Sequence, residues 1–257
     1  MEQALSPEIA RKRLAEHPGW YHTMDLLPGV STEGYADLRS FIGRALPADL
    51  SGKRCLDIGT FDGFWAFGME DRGAASVIGI DVDSTEQLEH PPLKREANIA
   101  AAHASGIVPG MGFRLAKEIK GSKVERISCN VYDLTPEKIG GKVDFVLVGT
   151  ILQHLRQPVT ALERVRDVLN PGGTAVIVET IQAGLTLMHP RRPVGEFRAA
   201  FPVGSFTWTV ANLAMLKAWP TAVGMPPTGK RVAIYKPKGV RRGDWIAALE
   251  VKPSGVL

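Results

Sequence analysis

Cysteine is scarce in this sequence: Cys55 and Cys129 are its only two. They have no CxxC spacing and no clustered histidines, which argues against a disulfide framework and a zinc site, so no metal is expected. Both sit in apolar runs and read as small core residues of a protein from a reducing, cytoplasmic setting. No run approaches the roughly 18 apolar residues of a membrane helix. The first residues, with acidic Glu2, show no apolar signal region. An internal repeat and low-complexity segments are also missing. Charge of one sign is in little excess: 31 basic against 27 acidic residues give a net charge of +4. That permits an anionic substrate and does not require nucleic acid. Part of the excess falls late, at Lys230, Arg231, Lys236, Lys238, Arg241 and Arg242, and reads as a solvated face.

What remains is an ordinary globular composition, 44% hydrophobic and 23% charged over 257 residues. That length suits one generous domain or a domain with an insertion. Ser6-Pro7-Glu8 is an N-cap followed by proline at the first helical position, predicting a helix to about His17 before Pro18-Gly19. Tyr35 to Leu46 has helical spacing. After Pro47, strands alternate with helices. Strands are expected at Arg54–Ile58, Val77–Ile80, Val124–Cys129, Val143–Val148 and Gly173–Thr180. Helices are expected at Phe64–Arg72, Glu86–Ala104 (interrupted at Pro91-Pro92) and Val159–Leu169. Gly184 to Ser205 breaks the periodicity and reads as an insertion before a helix at Thr207–Ala218. Val232–Tyr235 and Ile246–Val251 are the final strand candidates. Continuously apolar strands separated by helices imply a parallel sheet covered on both faces.

The strongest local signal is Cys55-Leu56-Asp57-Ile58-Gly59-Thr60-Phe61-Asp62-Gly63, a strand, a glycine loop and a helix start. Ligands bind beyond the carboxyl ends of such strands. Gly59 lets backbone approach a ligand and Gly63 permits close packing at the helix start. The GxGxxG of a dinucleotide site is lacking. Asp57, two residues before the first glycine, would repel a pyrophosphate and suits a cationic amino group; the alternative is a tight turn without ligand. Asp81, ending the second strand about 20 residues on, can accept hydrogen bonds from ribose hydroxyls or cap its loop. In Asn130-Val131-Tyr132-Asp133, a side chain can reach adenine's amine while an apolar neighbour packs on the ring, or the segment caps a turn.

Together with Asp144-Phe145-Val146-Leu147-Val148-Gly149-Thr150-Ile151-Leu152-Gln153-His154-Leu155 and Leu169-Asn170-Pro171-Gly172-Gly173, these residues resemble the class I S-adenosylmethionine-dependent methyltransferase motifs over about 53–180. Trp20-Tyr21-His22, Leu50-Ser51-Gly52-Lys53, Gly59 to Phe67 and Val131-Tyr132-Asp133-Leu134 resemble the branch that includes the bacterial tRNA wobble-uridine carboxymethyltransferases. The resemblance implies an α/β Rossmann-like fold with a mostly parallel seven-stranded sheet and helices on both faces. It implies an N-terminal helical lid segment at 1–46 and a methyltransferase domain at 47–257, with a substrate-cap insertion at about 184–206. The implied cofactor is S-adenosylmethionine, held by Asp57, Gly59, Thr60, Phe61, Gly63, Asp81, Val82, Asn130, Val131 and Gly149. Two departures stand out. The middle glycine of the superfamily loop is Phe61 here, which asks for a different loop path. Basic residues for a carboxylated cofactor have no match.

Methyl transfer needs alignment, plus a base when the nucleophile must lose a proton. His154 is a candidate base or a packing residue of its turn. His22 is a second candidate, on a lid or in aromatic packing. Glu179 is a weaker one. Trp20, Tyr21, Arg191 and Arg198 are candidates for the acceptor, the arginines (with Arg192) clamping a carboxylate or phosphate or lying in an exposed loop. Three functions are in play: a methyltransferase for a small-molecule acceptor, a tRNA-modifying enzyme, and a binding protein that keeps only the fold.

Overall fold

The computed structural model describes residues 5–200, 206–236 and 243–255. Helix α1, Pro7–Glu16, starts as its sequence dictates: the Ser6 side chain accepts from the Ile9 N–H, with proline in the first turn. Residues 20–36 are not helical. They form four short strands, β1 (Trp20–His22), β2 (Asp25–Leu27), β3 (Val30–Ser31) and β4 (Gly34–Ala36), with β1 parallel to β4 and β2 antiparallel to β3. A Cβ on Gly34 would overlap the His22 backbone, so only glycine allows this pairing. Helix α2 is accordingly short, Arg39–Ala45.

Strand β5, Arg54–Ile58, leads to α3, Phe64–Glu70, and β6, Ser76–Asp81. The helix expected from Glu86 is displaced. Short 3₁₀ turns at Thr85–Gln87 and Pro92–Lys94 precede α4, Arg95–Ser105, because Pro91-Pro92 stops an α-helix from running through. A helix that the periodicity reading passed over, α5 (Met111–Lys120), buries Phe113, Ala116 and Ile119. Then come β7 (Glu125–Ser128), β8 (Val143–Gly149), α6 (Pro158–Val168) and β9 (Leu169–Gln182). The insertion is partly regular, with α7 (Ala183–Met188), β10 (Gly195–Phe197) and β11 (Thr209–Ala211). Its residues 201–205 lie outside the described residues. Helix α8, Leu213–Ala222, begins later than its apolar spacing suggests, because Asn212 caps it, Oδ1 accepting from the Met215 N–H at 2.8 Å. Strands β12 (Pro227–Tyr235) and β13 (Asp244–Val251) close the chain. Of the late basic residues, Lys238, Arg241 and Arg242 lie outside the described residues.

The main sheet has the order β12-β13-β9-β8-β5-β6-β7 and is parallel except for β13, which runs antiparallel to both neighbours. These are the seven expected strands. Two more come from the insertion: β11 continues on β9 at Ile181, beyond the Val178–Gly149 pair where β8 stops, and β10 pairs with β11. Successive side chains of each strand enter opposite cores. On one face Leu56, Val146 and Ile177 pack with Leu162 of α6 and Leu216 of α8. On the other, Cys55, Leu147 and Val176 pack with Phe41 of α2, Trp65 of α3 and Phe113 of α5. Both cysteines are free and buried. Among the described residues no helix is long and apolar enough to cross a membrane.

Candidate active site

The carboxyl ends of β5, β6 and β8 converge on one loop. Its backbone is fixed from below: the Gly59 and Thr60 N–H groups donate to the Ile80 carbonyl at 2.9 and 3.1 Å. Gly59 has φ +71°, and a Cβ there would press on Ile151 at 3.0 Å. Phe61 stands where the superfamily has glycine. It adopts φ +46° itself, and its N–H donates to Asp81 Oδ2 at 2.8 Å. Thr60 is buried beneath Gly79, whose missing Cβ makes room for it. Gly63 begins α3 at φ +93°, where a Cβ would overlap the Phe67 ring.

Asp57 is fully buried, and neither carboxylate oxygen has a well-formed hydrogen bond, although the Thr60 hydroxyl and the Ala66 N–H lie close to it. Burial pushes its pKa up to about 7; the nearby Thr60 hydroxyl and His22 pull the other way. The Thr60 Oγ is itself buried without a well-formed hydrogen bond. A cradle of this kind, an orphaned carboxylate beside a glycine turn, fits a ligand that brings a cationic amino group.

Asp81 ends β6 and faces the adjoining pocket, its Oδ1 accepting from the Val82 N–H at 2.8 Å. Burial raises its pKa, against the Phe61 and Val82 N–H groups. The pocket continues over Val82, Asn130 and Val131 to His154 and Phe206. Asn130 caps a 3₁₀ turn, Oδ1 accepting from the Tyr132 N–H at 3.0 Å, and Val131 supplies an apolar wall. Gly149 is a packing position, since a Cβ would meet Trp65 at 2.8 Å.

His154 lies in the wall of this pocket. Its ring packs on Phe206 at 4.4 Å, and burial drives its pKa down to about 4. His22 is elsewhere, buried at the end of β1 and stacked on Phe64 at 4.8 Å. Asp62 grips it twice, accepting from its backbone N–H at 2.8 Å and from Nδ1 at 2.6 Å. The sequence reading gave Asp62 no role. Tyr21 sets its ring edge against Phe61 at 5.8 Å. Although Tyr21 is 38% exposed as a whole, its hydroxyl is desolvated and within reach of Glu179, Tyr35 and Asp62, and its pKa rises to about 12. Trp20 turns away onto His17, 4.3 Å between rings.

Glu179 is a clasp. Its carboxylate accepts from the Leu152, Gln153 and Thr180 N–H groups at 2.7, 3.3 and 2.7 Å and so fixes the segment after β8. Burial lifts its pKa to about 7. The two candidate arginines are not brought together. Arg191 is exposed, while Arg198 is buried and committed to Asp244, with two 2.7 Å bonds, and to Glu196 at 2.8 Å. Its fork already holds a carboxylate of the chain.

This strand order, with a glycine loop after the first main strand and an acid ending the second, is that of the class I S-adenosylmethionine-dependent methyltransferases. A model of the methyltransferase domain matches residues 32–220, and the chain belongs to that family. Curated relatives include the tRNA U34 carboxymethyltransferase of Pseudomonas paraeruginosa, 28% identical over 173 residues, 66% of this chain and 44% of that protein. The enzyme of the same description from Idiomarina loihiensis is 22% identical over 203 residues, 77% of this chain and 53% of that one. The chain thus spans about half the length of the curated relatives it matches. Among solved structures, the N-terminal domain of EvdMO1, determined in the presence of S-adenosylhomocysteine and D-fucose, shares the fold with TM-score 0.56 at 17% identity over 98% of each chain. So does 1,6-didemethyltoxoflavin-N1-methyltransferase of Burkholderia thailandensis, with TM-score 0.51 at 17% identity over 85% of this chain and 81% of that one.

Proposed function

We propose that this methyltransferase uses S-adenosylmethionine to methylate a small-molecule acceptor. The observation that carries the donor assignment is the orphaned Asp57 carboxylate beside Gly59, next to a pocket with Asp81 at its edge. In this reading Asp57 and the Gly59–Gly63 loop hold the amino-acid end, Asp81 the ribose, and Asn130 with Val82 and Val131 the adenine. The cofactor supplies an electrophilic methyl group on a sulfonium. The chain's part is to orient donor and acceptor and to exclude water.

Two observations favour a small acceptor. The exposed ring faces of Tyr21, Tyr35 and Phe61 gather beside the loop, a surface suited to a compact organic molecule. The likeness to the EvdMO1 domain, with its fucose, extends over nearly the whole of both chains. The curated relatives support a second reading, a tRNA wobble-uridine methyl- or carboxymethyltransferase. Electrostatics weigh against a carboxylated donor here. No lysine or arginine lines the pocket among the described residues, and a second carboxylate would meet Asp57, Asp62 and Glu179.

Calorimetric titration with S-adenosylmethionine and S-adenosylhomocysteine tests the donor, with micromolar binding expected; no binding of either would sink it. Titration with tRNA at two salt concentrations tests the second reading, which requires tight binding that weakens steeply as salt rises.

A further inference from the structure

His22 and Asp62 are 40 residues apart in sequence and form a buried pair that the cofactor cradle does not account for. The carboxylate can only accept, so Nδ1 carries the proton and donates it to Asp62 Oδ1 at 2.6 Å. In the neutral ring that bond leaves the lone pair on Nε2, which is buried without any partner. The ring cannot turn away. Phe64 stacks on one face, Asp62 also holds the His22 backbone N–H, and the Thr32 hydroxyl donates to the His22 carbonyl at 2.7 Å. A histidine oriented by a carboxylate, with its second nitrogen idle, is the arrangement of a general base.

Its place in the fold agrees. Asp62 belongs to the glycine loop itself, and His22 lies within electrostatic reach of Asp57. The pair stands next to Tyr21, whose hydroxyl is within electrostatic reach of Glu179 at the end of β9.

Resting on the methyltransferase reading above, we propose that His22 Nε2 is the catalytic base of the transfer, with Asp62 as its positioning residue, and that the acceptor is therefore a nucleophile that carries a proton, such as a hydroxyl. The acceptor oxygen bonds to the methyl carbon as the sulfur–carbon bond breaks, the electron pair going to sulfur. The hydroxyl proton passes to Nε2, and the imidazolium so formed is stabilised by Asp62.

The acceptor is unidentified, so the test uses the donor side. Sinefungin has a carbon in place of the donor's sulfur and an amine in place of its methyl group, and so offers N–H donors there; S-adenosylhomocysteine offers none. Calorimetry on the whole chain should find sinefungin preferred by about tenfold or more, the worth of one charge-assisted hydrogen bond. His22→Phe keeps a flat ring on Phe64 and should abolish the preference while leaving S-adenosylhomocysteine affinity within about threefold. Asp62→Asn is nearly isosteric and can still bind the His22 N–H, but its amide donates to Nδ1 and moves the proton to Nε2. It should abolish the preference too, with the fold intact by thermal melting. A wild-type protein without the preference, a preference that survives both variants, or equal losses for both ligands would each overturn the assignment. Wild-type failure to bind either ligand would instead sink the methyltransferase reading beneath it.

Discussion

At the scale of single residues, the site is built from groups left short of partners. Asp57 costs the free protein stability. With its pKa raised to about 7, the folded chain holds a proton that the unfolded chain releases near 4. Stability from this group is therefore complete below about 4 and is lost as pH rises through 7. Asp57→Asn should stabilise the free protein by about 2 to 4 kcal/mol at pH 8, a gain that shrinks toward pH 4. The same variant should bind S-adenosylhomocysteine far more weakly; paired melting and calorimetry check both. His154 works in the opposite sense. Its pKa is driven down to about 4 in the fold, so its contribution is complete above about 6.5 and is lost as pH falls toward 4. His154→Phe should melt closer to wild type, or above it, as pH drops through that window. A constant difference between the two melting curves would show that His154 titrates alike in both states and that burial does not lower its pKa. The positions of Asp57 and Asp81 were legible because strand ends and glycine turns carry local chemistry. Asp62 was not, since an acid inside a loop has no period, and its partner comes from a separate strand pair.

At the scale of elements, short strands hid and long ones showed. Strands β1 to β4 have two or three residues each, too few for an alternation to register, and β1 meets β4 only because Gly34 brings no side chain. Helix α5 was legible in principle, with Phe113, Ala116 and Ile119 at helical spacing between Gly110 and Gly121. The insertion read as irregular because its strands are again short, and its arginines read as a clamp or as exposed because the decisive partner is distant. Arg198 in fact ties β10 to β13 through Asp244, 46 residues away. Arg198→Ala should cost about 3 to 5 kcal/mol of stability, because Asp244 would be left buried and uncompensated. S-adenosylhomocysteine affinity should hold. A loss of affinity with unchanged stability would return Arg198 to the binding site.

At the scale of the whole molecule, the sheet is a support whose strand ends converge on the glycine loop and its pocket, and two separate pieces of chain complete the rim. The N-terminal strands deliver Tyr21 and His22, while the segment after the insertion strand β10 delivers Phe206. By itself the sequence determined the alternation of strands and helices, the class I arrangement and the positions of Asp57, Gly59, Gly63 and Asp81. The alternation follows from hydrophobic period and the loop positions from the backbone demands of a turn, which act within a few residues; the class I arrangement is what the resemblance of those motifs implies. Only the tertiary structure decided which histidine stands with an idle nitrogen, which arginine is already paired and that Phe61 accepts a left-handed backbone. Those outcomes depend on burial and on partners far apart in the chain, and neither has a local signature.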